Sequence, residues 1–153
     1  MKYAQEAILR ERLAVAAVNL VGAYYKLGDY ESAREIYRQI PDFVSSYPAE
    51  DALRVHLVDV AVTLIAIYGV FGEREKARET HDQLAALATC HPTEPKLRKS
   101  LAKASVNFCA YGREMGPEIY AQLAALAVAH PTEPVLLELL DQAAENLRRS
   151  TTA

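Results

Sequence analysis

Cysteine is scarce: Cys90 and Cys109 are the only two in 153 residues, and they form no CxxC pair. That excludes a disulfide framework, and a reduced cytoplasmic protein is the expectation. Glycine is scarce too, with six residues and no phosphate-cradling loop. No two histidines lie one helical turn apart, and no Ser-His-Asp set stands in a recognisable context. The chain therefore reads as non-enzymatic, without cofactor or metal. Basic charge is not in excess either. Seventeen Lys and Arg against twenty Asp and Glu give a formal charge of −3, whereas nucleic acid and anionic membranes call for clustered cations. The longest apolar run, "LVDVAVTLIAIYGVF" (57–71), is short for a bilayer span and carries Asp59, so it reads as a buried central helix. At the N-terminus, Glu6, Arg10, Glu11 and Arg12 stand where a signal peptide needs an apolar core.

What the chain does contain is repetition. "QLAALATCHPTEPKL" (83–97) recurs 39 residues on as "QLAALAVAHPTEPVL" (122–136), and looser copies begin at Tyr47 and Tyr3, each 44 residues before the next. The four boundaries, Tyr3, Tyr47, His91 and His130, each have a Glu three residues on (Glu6, Glu50, Glu94, Glu133). Each also has a Leu six residues on (Leu9, Leu53, Leu97, Leu136). Three full units (3–46, 47–90 and 91–129) and a capping segment (130–153) thus make one repeat domain.

Within a unit the spacing is helical. Leu13, Ala17, Leu20, Val21, Tyr24 and Leu27 fall on one stripe of a first helix. Gly28-Asp29 ends it and caps the next. Tyr30, Ala33, Ile36, Tyr37 and Ile40 form the stripe of a second helix, in which Pro41 predicts a kink or early end and Pro48 a stop. At the boundaries, Tyr47, His91 or His130 closes a helix and the following Pro prevents continuation. Thr93-Glu94 or Thr132-Glu133 then caps the next start. Seven helices are expected, near 6–27, 30–46, 50–71, 74–90, 94–111, 116–130 and 134–149. In the last, Leu136, Leu140, Ala144 and Leu147 face the array, while Glu138, Asp141, Glu145 and Arg148 form a polar outer face.

Unit one, "LVGAYYKLGDYESAREIYRQI", resembles a tetratricopeptide repeat through Leu20, Tyr24, Gly28, Tyr30, Ala33 and Tyr37. Unit two matches at Leu64, Tyr68, Gly72, Ala77 and His81, with Arg74 in place of the second aromatic. Unit three keeps Phe108, Gly112, Gly116 and Tyr120. The resemblance implies an all-α superhelix, a solenoid of about seven antiparallel helices. Its units are longer than the family's, and HEAT-type repeats of comparable length are the alternative.

The resemblance also implies a concave groove lined by the first helices. The repeat offsets align Val18, Val62 and Val106 in one row, and Asn19, Thr63, Asn107 and Asn146 in the next. Gly22, Ala66 and Ala110 form a third, with Asp59 and Lys103 on the same helices. Asn can donate to and accept from a partner backbone, so these rows could receive an extended segment or an apolar helix. Alternatively the amides form a structural ladder between repeats. A carboxylate clamp of the family type finds Asn19, Asn107 and Lys103 in place, but Val18, Gly22, Asp59 and Thr63 are wrong for it. Cys90, His81, His91 and His130 do not read as metal ligands, because His91 and His130 are equivalent positions one repeat apart. The function expected is a protein-protein interaction scaffold that binds a protein or peptide, not nucleic acid or membrane, with oligomeric state open. The alternative is a regulatory or sensor segment of a larger signalling or nucleotide-hydrolysing protein.

Overall fold

The computed structural model describes residues 2–47, 50–111 and 114–152. Pro48 and Gly112, expected at turns, lie outside the described residues. Among those described the structure is all helical: α1 (Lys2–Leu27), α2 (Tyr30–Ser45), α3 (Asp51–Phe71), α4 (Arg74–Cys90), α5 (Pro95–Tyr111), α6 (Gly116–Ala129) and α7 (Pro134–Thr152). The expected boundaries hold closely. Exceptions are α1, which starts four residues early for want of a breaker, and α7, which runs on to Thr152. The early end expected at Pro41 does not occur, and α2 continues to Ser45.

The first helices α1, α3, α5 and α7 pack side by side, while α2, α4 and α6 each lie against their own first helix and the next one. The second helices meet only through side chains among the described residues, as where Arg78 of α4 bonds Glu118 of α6 at 2.8 and 3.2 Å.

The hairpin turns follow from glycine. Gly28 (φ 78°) and Gly72 (φ 72°) take the left-handed conformation, and the next N–H groups return to helix carbonyls, Asp29 to Tyr24 at 3.0 Å and Glu73 to Tyr68 at 2.9 Å. Asp29 then caps α2, accepting from Ser32 N–H at 3.2 Å and Ser32 Oγ at 2.7 Å. At the unit boundaries His91 and His130 are the C-caps of α4 and α6. Pro95 and Pro134 open α5 and α7, where proline's missing N–H costs nothing.

At the helix starts the Glu94 and Glu133 carbonyls accept from Leu97 and Leu136 N–H at 3.2 and 3.1 Å, but the Glu133 carboxylate turns away from the local cap expected of it. Arg98 Nε donates to both oxygens of Glu133, at 3.0 and 3.2 Å, and its Nη groups reach Glu133 and the Pro92 carbonyl. One guanidinium therefore straps the first "HPTEP" loop to the second. Arg10, two repeats earlier in register, does the same to Glu50 at 2.9 Å and lies over the Tyr47 ring at 4.2 Å. Arg54, between them, turns back to Asp51 in its own helix. Arg98 in turn holds the Glu133 carboxyl below its usual range.

Two apolar clusters fill the array. Leu53, Val60 and Ile67 of α3 face α1 and α2, while Val58 and Ile65 face α4 and α5. This two-sided burial explains the long apolar run. The run belongs to a 21-residue helix that is, by length and composition, long and apolar enough to cross a membrane. Here it is packed against α1, α2, α4 and α5. Ala33, Ala77 and Gly116 occupy one slot in successive hairpins and are all buried. Next to it, Tyr37, His81 and Tyr120 share another. His81 is 1% exposed, with Nε2 2.9 Å from Ser105 Oγ. That hydroxyl donates to the Leu101 carbonyl, so Nε2 carries the ring proton. Nδ1 is buried without a partner. Burial pushes the imidazole down to about 4.

α1 differs from the sequence expectation. Ala14 and Val21 are its buried residues, with Ala17, Val18 and Tyr24 half-buried beside them, whereas Leu13, Leu20 and Leu27 of the expected stripe are exposed. Half of the expected stripe, Ala17, Val21 and Tyr24, thus faces the array, and the three leucines face away from it.

Two outcomes follow. Arg98→Ala should lower stability by about 1–3 kcal/mol, because it leaves a charged acceptor and a carbonyl unserved; an unchanged urea midpoint would show that the loops hold without the strap. The unfolded chain takes up a proton at His81's ordinary value while the folded chain resists to about 4. Stability from this residue is therefore complete above pH ~6.5 and falls by about 2 kcal/mol by pH ~5. His81→Tyr, the residue of the other two units, should flatten that part of the urea-stability profile relative to wild type.

Candidate interaction groove

The free face of the first-helix layer carries the three rows expected there. Gly22, Ala66 and Ala110 bring the backbone near the surface, half-buried except for Ala66, which is buried. Val18 and Val62 are half-buried and Val106 buried, each packed into the clusters below. Between these rows lie the short polar residues.

Their roles divide. Asn107 Nδ2 donates to the Val62 carbonyl of α3 at 3.1 Å, and Asn146 Nδ2 to the Val106 carbonyl of α5 at 3.1 Å. Each amide reaches one residue back in the preceding unit's register, so the two bonds are the same rung repeated. The acceptors are helix carbonyls, whose second lone pair is free to take it. Thr63, one bond shorter, makes no such bond among the described residues, and Asn19 on α1 is exposed. The ladder reading thus describes Asn107 and Asn146. It also orients them: with Nδ2 turned to the neighbouring helix, each Oδ1 is left over as an acceptor.

Beside this row the surface is charged in an alternating way. Asp59 on α3 and Lys103 on α5 are exposed, and the repeat offsets place Val15 on α1 and Gln142 on α7 in the same row, both exposed. Those two residues were legible in the sequence, since the offsets that align the asparagines give them directly. Lys96 and Lys99 extend Lys103 into a stripe on α5, and none of the three forms an ion pair among the described residues. At the turn end of the groove Gly69 leaves room for the Tyr111 ring, which a Cβ would meet at 2.4 Å. Tyr111 there interacts with Tyr25 of α1; burial first, then Tyr111, pushes the Tyr25 hydroxyl upward.

Compared with protein-family models, with curated proteins and with solved structures, the chain matches none. The reading of this face therefore rests on its own geometry.

On the second-helix side a cleft of about 340 Å³ opens between α4, α5 and α6, near Ala88, Pro92, Gln122, Leu126 and His130. Its guanidinium, Arg98, is already committed to Glu133 and Pro92. Among the described residues no three His, Cys, Asp or Glu side chains come together as metal ligands. Cys90 is exposed and Cys109 buried, both free, and burial pushes the Cys109 thiol up to about 11.

The division of roles has a measurable consequence. Asn107→Ala with Asn146→Ala removes two rungs and should cost about 1–3 kcal/mol in total, whereas Asn19→Ala should change stability by less than ~0.5 kcal/mol. Equal urea midpoints for all three proteins would mean that the rungs carry no register.

Proposed function

We propose that this chain is a non-enzymatic interaction scaffold, of tetratricopeptide-like kind, that binds a segment of a partner protein along the free face of α1, α3, α5 and α7. The observation that carries the reading is the orientation of Asn107 and Asn146. Each donates Nδ2 to the neighbouring helix while staying only half-buried, so an Oδ1 that this bond does not use would offer partner backbone N–H groups an acceptor already fixed in place, which lowers the ordering cost of binding. The small row of Gly22, Ala66 and Ala110 allows close approach, and Asp59 and Lys103 supply opposite charges on adjacent helices.

These charges describe the partner. A segment running across the layer would set an acidic side chain against the Lys96, Lys99 and Lys103 stripe and a basic one against Asp59. Such a segment is a protein or peptide rather than nucleic acid or membrane, since the overall charge is −3. A reduced, cytoplasmic setting fits two free cysteines.

The test is a charge exchange. Asp59→Lys with Lys103→Glu changes two exposed side chains, so the melting temperature should stay near wild type. Proteins retained from source lysate by the wild-type chain should be lost by the variant. Identical retention at equal stability would remove the groove as the binding face.

A further inference from the structure

The middle joint of the array lacks a strap although it holds both halves of one. Arg10, Arg54 and Arg98 stand 44 residues apart on α1, α3 and α5, and Glu50, Glu94 and Glu133 are the matching boundary glutamates. Arg10 holds Glu50 and Arg98 holds Glu133. Arg54 instead bonds Asp51 in its own helix, and the Glu94 side chain forms no hydrogen bond or ion pair among the described residues.

Distance does not explain the difference. The three boundary turns share one backbone. Glu50, Glu94 and Glu133 N–H groups each donate to the carbonyl three residues before, at 3.1, 3.2 and 3.1 Å, and their carbonyls each accept from the Leu three residues on. The flanking first helices keep one register as well, since Asn107 bonds the Val62 carbonyl and Asn146 the Val106 carbonyl, both at 3.1 Å. Moving from the first of these rungs to the second adds 44 to the acceptor's number and 39 to the donor's. The same two steps carry Arg54 to Arg98 and Glu94 to Glu133. Glu94 therefore stands to Arg54 as Glu133 stands to Arg98, within reach of a guanidinium.

What differs is the competitor. Three residues before Arg54 is Asp51, whereas three residues before Arg10 and Arg98 are Ala7 and Pro95, which offer no carboxylate. The Asp51 side chain is 73% exposed, so its pair with Arg54 contributes little. That pair also leaves the Arg54 Nε–H buried without an acceptor, a state that native structures avoid. Glu94 is half-buried like Glu133. It would serve this N–H as Glu133 serves that of Arg98, at 3.0 and 3.2 Å, in the two-pronged geometry that is the stronger form of such a pair. Asp51 holds its place because it lies one turn away on the same helix, where pairing orders no second loop. The two seats are thus closely balanced.

We infer that Arg54 is a strap poised to close, which exchanges Asp51 for Glu94 and so ties the start of α3 to the loop between α4 and α5. Closed, the joint of units two and three gains the combination of rung and strap that joins α5 to α7. Asp51 is the catch: a cationic side chain of a partner that settles on its exposed carboxylate releases the guanidinium to Glu94.

Asp51→Ala, which gives α3 the residue that α1 has at this position, tests the strap in the full chain. Nuclear magnetic resonance of the arginine Nε–H groups reads it directly, with Arg98 as the closed reference. In Asp51→Ala the Arg54 Nε–H signal should move toward that of Arg98, and adding Glu94→Gln should reverse the move. Glu94→Gln should also lower the urea midpoint more in the Asp51→Ala chain than in the wild type. Asp51→Asn, which keeps a polar group at the helix start, gives the same reading should the alanine variant not fold. An Arg54 signal that neither change moves overturns the proposal, as does an equal effect of Glu94→Gln on the midpoint in both backgrounds. So does a wild-type Arg54 signal already at the Arg98 position.

Discussion

Everything in this molecule depends on one first helix lying against the next in a fixed register. The apolar clusters supply most of the free energy of that contact, but apolar side chains slide, and hydrophobic attraction is not directional. Direction comes from the amide rungs. Asn107 and Asn146 bond to carbonyls one residue back in the preceding unit, although the units concerned differ in length by five residues. The missing residues fall between α5 and α6, away from the rung, where α5 stops at Tyr111 and the hairpin closes on Gly116. Register is thus set by the first helices, and length variation is absorbed at the turn.

Much of this was legible from spacing alone. Seven helices, their boundaries, the left-handed glycines, the Ala33 and Ala77 slot and the polar outer face of α7 all follow from periodicity and local backbone chemistry. The misreadings share one cause, since local patterns do not say which neighbour a face or a side chain meets. Glu133 looked like a cap because a carboxylate near a helix start can serve there; the Arg98 guanidinium one unit away takes it instead. Leu13, Leu20 and Leu27 of α1 looked buried because their spacing continues that of Ala17, Val21 and Tyr24, which do pack into the core. The asparagine row was found by offset, yet whether an amide faces a ligand or a helix is a tertiary fact.

Two surfaces of α1 are built on opposite principles. The proposed groove is polar and its amides are partly engaged already, so a partner would be selected there by placement of a few donors and acceptors. The face of Leu13, Leu20 and Leu27 is apolar and repetitive. Because they lie on different sides of the same helix, occupation of one leaves the other accessible.

The ties between units are unequally shared. The joint of α1 with α3 has the Arg10 strap and no amide rung; that of α3 with α5 has the Asn107 rung and no strap, because Arg54 is turned to Asp51. The joint of α5 with α7 has both, through Asn146 and Arg98. A chain synthesised from its N-terminus meets these joints in order of increasing cohesion. The first hairpin leaves the ribosome with Arg10 still waiting for Glu50 and Arg34 for Glu73, and the pair tied through both Asn146 and Arg98 becomes available last. Vectorial folding would therefore proceed toward the strongest contact, leaving the early units loosely joined until the C-terminal helix arrives to lock the stack from behind.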